Sequence, residues 1–171
     1  MFQKYIKILV IVLLVSCKSE VFNFPDTPVL SIEKPAEQYK LNGKDSLVRL
    51  IIKYTDGDGN IGLDLSDTFP PFNYPNKFFY NLYINVYSVE DGIGKPIIIP
   101  LTTDTLNYND RITNITPTGK NKSIYGELTI NLKAEPYPGV QPDSMYYTVQ
   151  IADRSLNLSN IVQTRTMSFV Y

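Results

Sequence analysis

From Leu47 onward the chain returns repeatedly to apolar and polar residues in alternation, and that period of two is what most restricts its fold. Side chains of a strand point to opposite faces in turn, so such a segment buries one side and wets the other. In Leu47–Tyr54, Val48, Leu50, Ile52 and Tyr54 form the apolar side, against Arg49 and Lys53. Phe78–Val89 sets Phe78, Tyr80, Leu82, Ile84 and Val86 against Asn81, Tyr83, Asn85 and Tyr87. Ile124–Lys133 and the run through Met145, Tyr147, Val149 and Ile151 repeat the pattern, and Ile161–Val170 supplies a last strand. Weaker candidates are Val29–Ile32, Pro96–Leu101 and Leu106–Ile115. Asp91-Gly92 is the kind of pair that tolerates the positive φ angles of a tight hairpin turn. No segment after residue 17 carries the spacing of a long amphipathic helix. Short strands broken by turn residues predict an all-β chain, an antiparallel β-sandwich of seven to eight strands.

The first residues follow a different logic. Lys4 and Lys7 precede an unbroken apolar run, Ile8–Val15, which Ser16-Cys17 closes. A charged start, a brief apolar core and a small-residue processing site make a secretory signal. The run is shorter than the ~20 apolar residues that span a bilayer. Leu14-Val15-Ser16-Cys17 resembles the lipobox of bacterial lipoproteins, which implies that Cys17 is acylated and becomes the first residue of the mature chain. One acyl chain holds a protein only marginally at a membrane, whereas two or more anchor it firmly. The predicted organisation is a signal over residues 1–17, a Pro-containing tether over 18–28 and one domain over 29–171. With Cys17, the only cysteine, consumed, packing must supply the stability that disulfides give many exported domains. The 16 basic and 17 acidic residues nearly cancel. Loss of Lys4 and Lys7 with the signal leaves the mature chain mildly acidic, with no basic footprint for nucleic acid.

One run has the composition of a site. Asp56-Gly57-Asp58-Gly59-Asn60 alternates oxygen-bearing side chains with glycine, so three of them can face one way in a tight loop. Hard cations such as calcium take six to eight oxygens, and this is how a loop supplies them. It is no EF-hand: Ile61 stands where that loop needs glycine, Asp67 replaces the bidentate Glu, and the flanks are strand-like. The plain alternative is a polar turn, since Asp, Asn and Gly are turn residues. If the Leu47 and Met145 strands are the B and F strands of a sandwich, the loops after them share one end. The expectation is that Asp56, Asp58, Asn60 and Asp153 hold calcium there, with Asn157 close by. The following stretch, Asp64–Lys77, is long for a connection and carries Phe69, Phe72 and Tyr74 among prolines. Such a loop either stacks on a ligand such as a sugar ring or closes the open end of the core with Phe69 and Phe72.

Catalysis finds little support. The chain has no His, which removes the commonest general base, and it shows no zinc-ligand spacing and no phosphate-cradling glycine loop. No enzyme activity is expected. Val140-Gln141-Pro142 followed by Tyr146 resembles the fibronectin type III pattern that ends in a corner tyrosine, with Tyr147 as a rival. Tyr147–Asp153, running on to Asn157 and Ser159, resembles the F strand and F–G loop of immunoglobulin-like and fibronectin III-like modules. Asp45-Ser46-Leu47, Asp104-Thr105-Leu106 and Asp143-Ser144-Met145 resemble a short O-glycosylation signal used in Bacteroidetes. Taken with Tyr54–Leu63, Asp67–Pro71 and the lipobox, the chain resembles small Bacteroidetes outer-membrane lipoproteins with one immunoglobulin-like or fibronectin III-like β-sandwich. Lys18-Ser19-Glu20 resembles the charged export tags of surface lipoproteins in that group. The resemblance implies fold and an outer-membrane, surface-exposed location, and implies no activity. The functional expectation is a lipid-anchored, non-catalytic binding or scaffolding protein of the cell envelope, stabilised by calcium. Its alternative is an accessory glycan-binding lipoprotein of a polysaccharide-uptake system, and the expected partners are the membrane, a glycan or an outer-membrane protein.

Overall fold

Alternation in the sequence becomes alternation in burial. A computed structural model describes residues 22–171; Cys17, and with it the acylation expectation, lies outside the described residues. The strands are β1 (Val29–Ser31), β2 (Glu37–Leu41), β3 (Lys44–Asp56), β4 (Leu82–Glu90), β5 (Ile93–Pro96), β6 (Ile124–Lys133), β7 (Ser144–Ile151), β8 (Val162–Gln163) and β9 (Met167–Ser168). Val48, Leu50 and Ile52 of β3 are buried, as are Leu82, Ile84 and Val86 of β4 and Met145, Tyr147, Val149 and Ile151 of β7. These side chains form one core. Burying each large one stabilises the fold by roughly 1.5–3 kcal/mol.

Two antiparallel sheets share that core. In the first, β3 is central, with β1 and β2 against one edge and β6 against the other. In the second the order is β5, β4, β7, with β8 and β9 both on the far edge of β7. The described residues are thus all-β and sandwich-like, as the sequence predicts. The Asp91-Gly92 turn is present, with φ of 51° and 76°.

Several elements differ from expectation. β2 carries no alternation because all five residues are exposed, so the period of two has nothing to report. The turn joining it to β3, Asn42-Gly43, has φ of 52° and 81° and is the same chemistry as Asp91-Gly92. The final strand splits in two at Thr164, whose buried Oγ1 accepts the Tyr147 N–H at 3.0 Å while its own N–H donates to the Tyr147 carbonyl at 2.9 Å. The Phe78 strand starts only at Leu82, since Lys77–Phe79 forms a 3-10 turn. β5 begins earlier than expected and ends at Pro96, while Leu106–Ile115 makes isolated bridges rather than a strand. Neither candidate corner tyrosine bonds the linker after β6. Tyr146 stacks on Tyr87 on the outer face, with ring centroids 4.9 Å apart, and the buried Tyr147 phenol has no partner. Tyr108 and Tyr171 do that work, donating to the carbonyls of Pro136 at 2.7 Å and of Ala134 and Pro142 at 3.3 and 3.1 Å.

Candidate metal centre and the adjoining aromatic loop

β3 delivers Asp56 at its end on the same face as Leu50 and Ile52, which places a carboxylate where the strand's period demands an apolar group. β7 runs out in the same way, with Ile151 and then Asp153 turned inward. An Ile61–Asp153 bridge and an Arg154 N–H donating to the Asn60 carbonyl at 3.2 Å tie the two exits together. The loop between Asp56 and Asn60 is drawn tight by glycine. At Gly59, φ is +62° and a Cβ would lie 1.8 Å from the Lys122 carbonyl oxygen. The Asn60 N–H then closes the loop on Asp56 Oδ2 at 2.9 Å. As a result, one carboxylate oxygen each from Asp56, Asp58 and Asp153 falls within 4.8 Å of the other two.

The expected set is therefore brought together, and its members differ in how they are satisfied. Asp153 receives both the backbone and the side-chain N–H of Asn157, each at 2.8 Å, so Asn157 orients it. Asn60 donates to Asp58 Oδ2 at 2.6 Å and to Ser155 Oγ at 2.9 Å. Three oxygens are left over: Asp56 Oδ1, Asp58 Oδ1 and Asn60 Oδ1 are buried and have no hydrogen-bond partner. Burial, followed by the charge of Asp58 and then of Asp153, pushes the fully buried Asp56 carboxyl up to about 7. Burial and Asp153 raise Asp58 as well. Buried carboxylate and amide oxygens without donors are costly, and a hard cation is what such a set fits. Asp67 lies outside this cluster, paired to Arg154.

The Asp64–Lys77 loop adjoins the cluster and has the opposite economy. The Arg111 guanidinium donates to four carbonyls, those of Phe72 (3.1 Å), Phe79 (2.9 Å), Asp64 (3.1 Å) and Asp67 (3.3 Å). Arg154 grips Asp67 with two bonds at 2.5 and 3.0 Å, and that pairing holds the Asp67 carboxyl below its usual range. Asn114 adds a bond to Asp64 at 3.0 Å. Neither arginine was legible as a loop partner, because the two stand far from it in sequence. Phe69 does not close the core, since it is 77% exposed, whereas Phe72 is half-buried beneath Arg154. Tyr74 is 72% exposed and meets Phe79 edge-to-face. Together Leu65, Thr68, Phe72, Tyr74, Phe79 and Arg111 edge an open cleft of about 330 Å³. Set against protein-family models, curated proteins and solved structures, the chain has no match, so its own geometry must carry the functional reading.

Proposed function

We propose that this chain is a lipid-anchored, non-catalytic binding or scaffolding protein of the bacterial cell envelope, resembling the small lipoproteins of the Bacteroidetes outer membrane. Its working end is the loop end, and calcium sets that end. The observation that carries the reading is the Asp56 carboxylate, fully buried with Oδ1 unpartnered among two further carboxylates. The strand order supports an immunoglobulin-like, fibronectin III-like sandwich. With β1 and β2 as a split A, β3 as B, β4 as C, β5 as C′, β6 as E, β7 as F and β8 and β9 as a split G, strands A, B and E share one sheet and C′, C, F and G the other. Calcium titration of the full chain in detergent tests the site: one binding event that Asp58→Ala abolishes is expected, and no binding removes calcium from the reading. Fatty-acid labelling in cells tests the anchor, with incorporation expected for the wild type and lost in Cys17→Ser.

The cleft beside Tyr74 favours a second reading, an accessory glycan-binding lipoprotein of a polysaccharide-uptake system. Exposed aromatic faces on a loop held by two arginines offer a preformed surface for a sugar ring. Retention on a polysaccharide column, lost in Phe72→Ala or Tyr74→Ala, would select it. Co-purification with an outer-membrane barrel protein would select the scaffold instead.

A further inference from the structure

The calcium reading leaves an ion short of ligands. Calcium takes six to eight oxygens, and Asp56, Asp58, Asn60 and Asp153 cannot supply that number with one oxygen each. The segment Phe22–Asp26, the last stretch of the tether that leads to the first strand, lies directly over this loop. The Gly57 N–H donates to the Pro25 carbonyl at 2.8 Å. The approach is close enough that a Cβ on Gly57 would sit 2.2 Å from the Phe24 carbonyl oxygen and 2.9 Å from Asp26 Oδ1. Gly57 is the residue between Asp56 and Asp58, so the exposed Asp26 carboxylate borders the loop; it stands outside the three carboxylates that lie within 4.8 Å of one another, and its charge acts on Asp58. Further along, Phe22 and Phe24 stack on one another and both meet Tyr125 of β6, at 4.9 and 6.3 Å.

We propose that Asp26 is a fourth carboxylate of the cation site, so that a bound calcium ion clasps the tether onto the domain. The proposal rests on the calcium reading above. In the absence of an ion, Asp26 adds repulsion to a cluster that already has three facing acids, and one hydrogen bond and an exposed aromatic patch must hold the tether. A divalent ion turns that repulsion into attraction. The consequence is one of reach. At about 3.5 Å per extended residue, Cys17 to Asp26 spans at most about 30 Å, whereas Cys17 to Val29 at the start of β1 spans about 40 Å. Calcium would thus shorten the leash between the acyl anchor and the domain. The loop end faces the anchor in either state, because Val29 pairs with Thr55 beside Asp56.

Hydrogen exchange of the full chain in detergent micelles, with calcium and with chelator, tests the clasp alongside calcium titration of wild type, Asp26→Asn and Asp58→Ala. Calcium should slow exchange at Gly57 and across residues 22–26. Because affinity in such sites follows the number of charged ligands, Asp26→Asn should weaken calcium about tenfold and erase the slowing. Asp26 is exposed, so that variant keeps the fold. If Asp26→Asn binds calcium as tightly as wild type, or exchange in the tether ignores calcium while Asp58→Ala abolishes binding, the clasp is wrong and the metal site stands. If the wild type binds no calcium, the metal site fails and takes the clasp with it.

Discussion

Two loops that each carry two Asp lie side by side at one end of this molecule, and they satisfy their carboxylates in opposite ways. In Asp64–Lys77 the carboxylate of Asp67 is matched by Arg154, and the loop carbonyls by Arg111. In Asp56–Asn60 the side-chain oxygens face one another, and three of them have no donor at all. The first arrangement is complete as it stands and reads as a lock. The second leaves three buried oxygens unpaired, and the proposed cation would satisfy them. Asp content does not separate them, since each carries two Asp; the partners available do.

The largest effect expected is on the unpaired side. A native-state ligand at a hundredfold excess over its dissociation constant adds ~2.7 kcal/mol, which for a domain of this size raises the midpoint by roughly 5–10 °C. Thermal unfolding followed by circular dichroism should show that rise with calcium and lose it in Asp58→Ala. An unchanged midpoint would place both stretches in the same class.

Acid titration comes next, because the two carboxyls move in opposite directions. Asp56 is pushed up from 3.8 to about 7, so the ion-free folded chain holds a proton that the unfolded chain releases. Its contribution to stability therefore falls as pH rises from about 4 to about 7, and Asp56→Asn should flatten that slope. Asp67, lowered by its bond to Arg154, contributes stability that is present above its ordinary value and lost as pH falls below it. Asp67→Asn should therefore lessen the loss in acid. Denaturant midpoints across pH for the two variants would expose any failure of this opposition.

Arg111→Ala tests the lock itself. Four carbonyls lose a charged donor, and a loss of about 1.5 kcal/mol with faster proteolysis within residues 64–77 is expected. Smallest of all, Tyr74→Ala should change stability by less than about 0.5 kcal/mol, since that side chain lies mostly in solvent. Any loss of glycan retention in this variant would then report binding rather than unfolding.

The sequence by itself determined a good deal. Period-two runs located β3, β4, β6 and β7, and the Asp-Gly pair located a hairpin, because one-sided burial and positive φ impose those residues locally. The Asp56–Asn60 spacing marked a loop able to gather oxygens, since a tight turn needs that mixture of Gly, Asp and Asn. Tertiary structure decided what those features do. β2 escaped notice because a strand wet on both faces has no period. The corner tyrosine fell to Tyr108 and Tyr171, which reach the linker only once the sheets have packed. Phe69, which composition alone offered as a core plug, stands in solvent because Arg111 and Arg154, distant in sequence, hold its loop outside the sandwich. Asp153 meets Asp56 only because β3 and β7 leave their sheets at the same end, and Asp26 meets the same loop only because the tether folds back across it. Local chemistry announces which residues can bend, bury or coordinate. Which of them share a partner is set by the packing of strands that lie far apart in the chain.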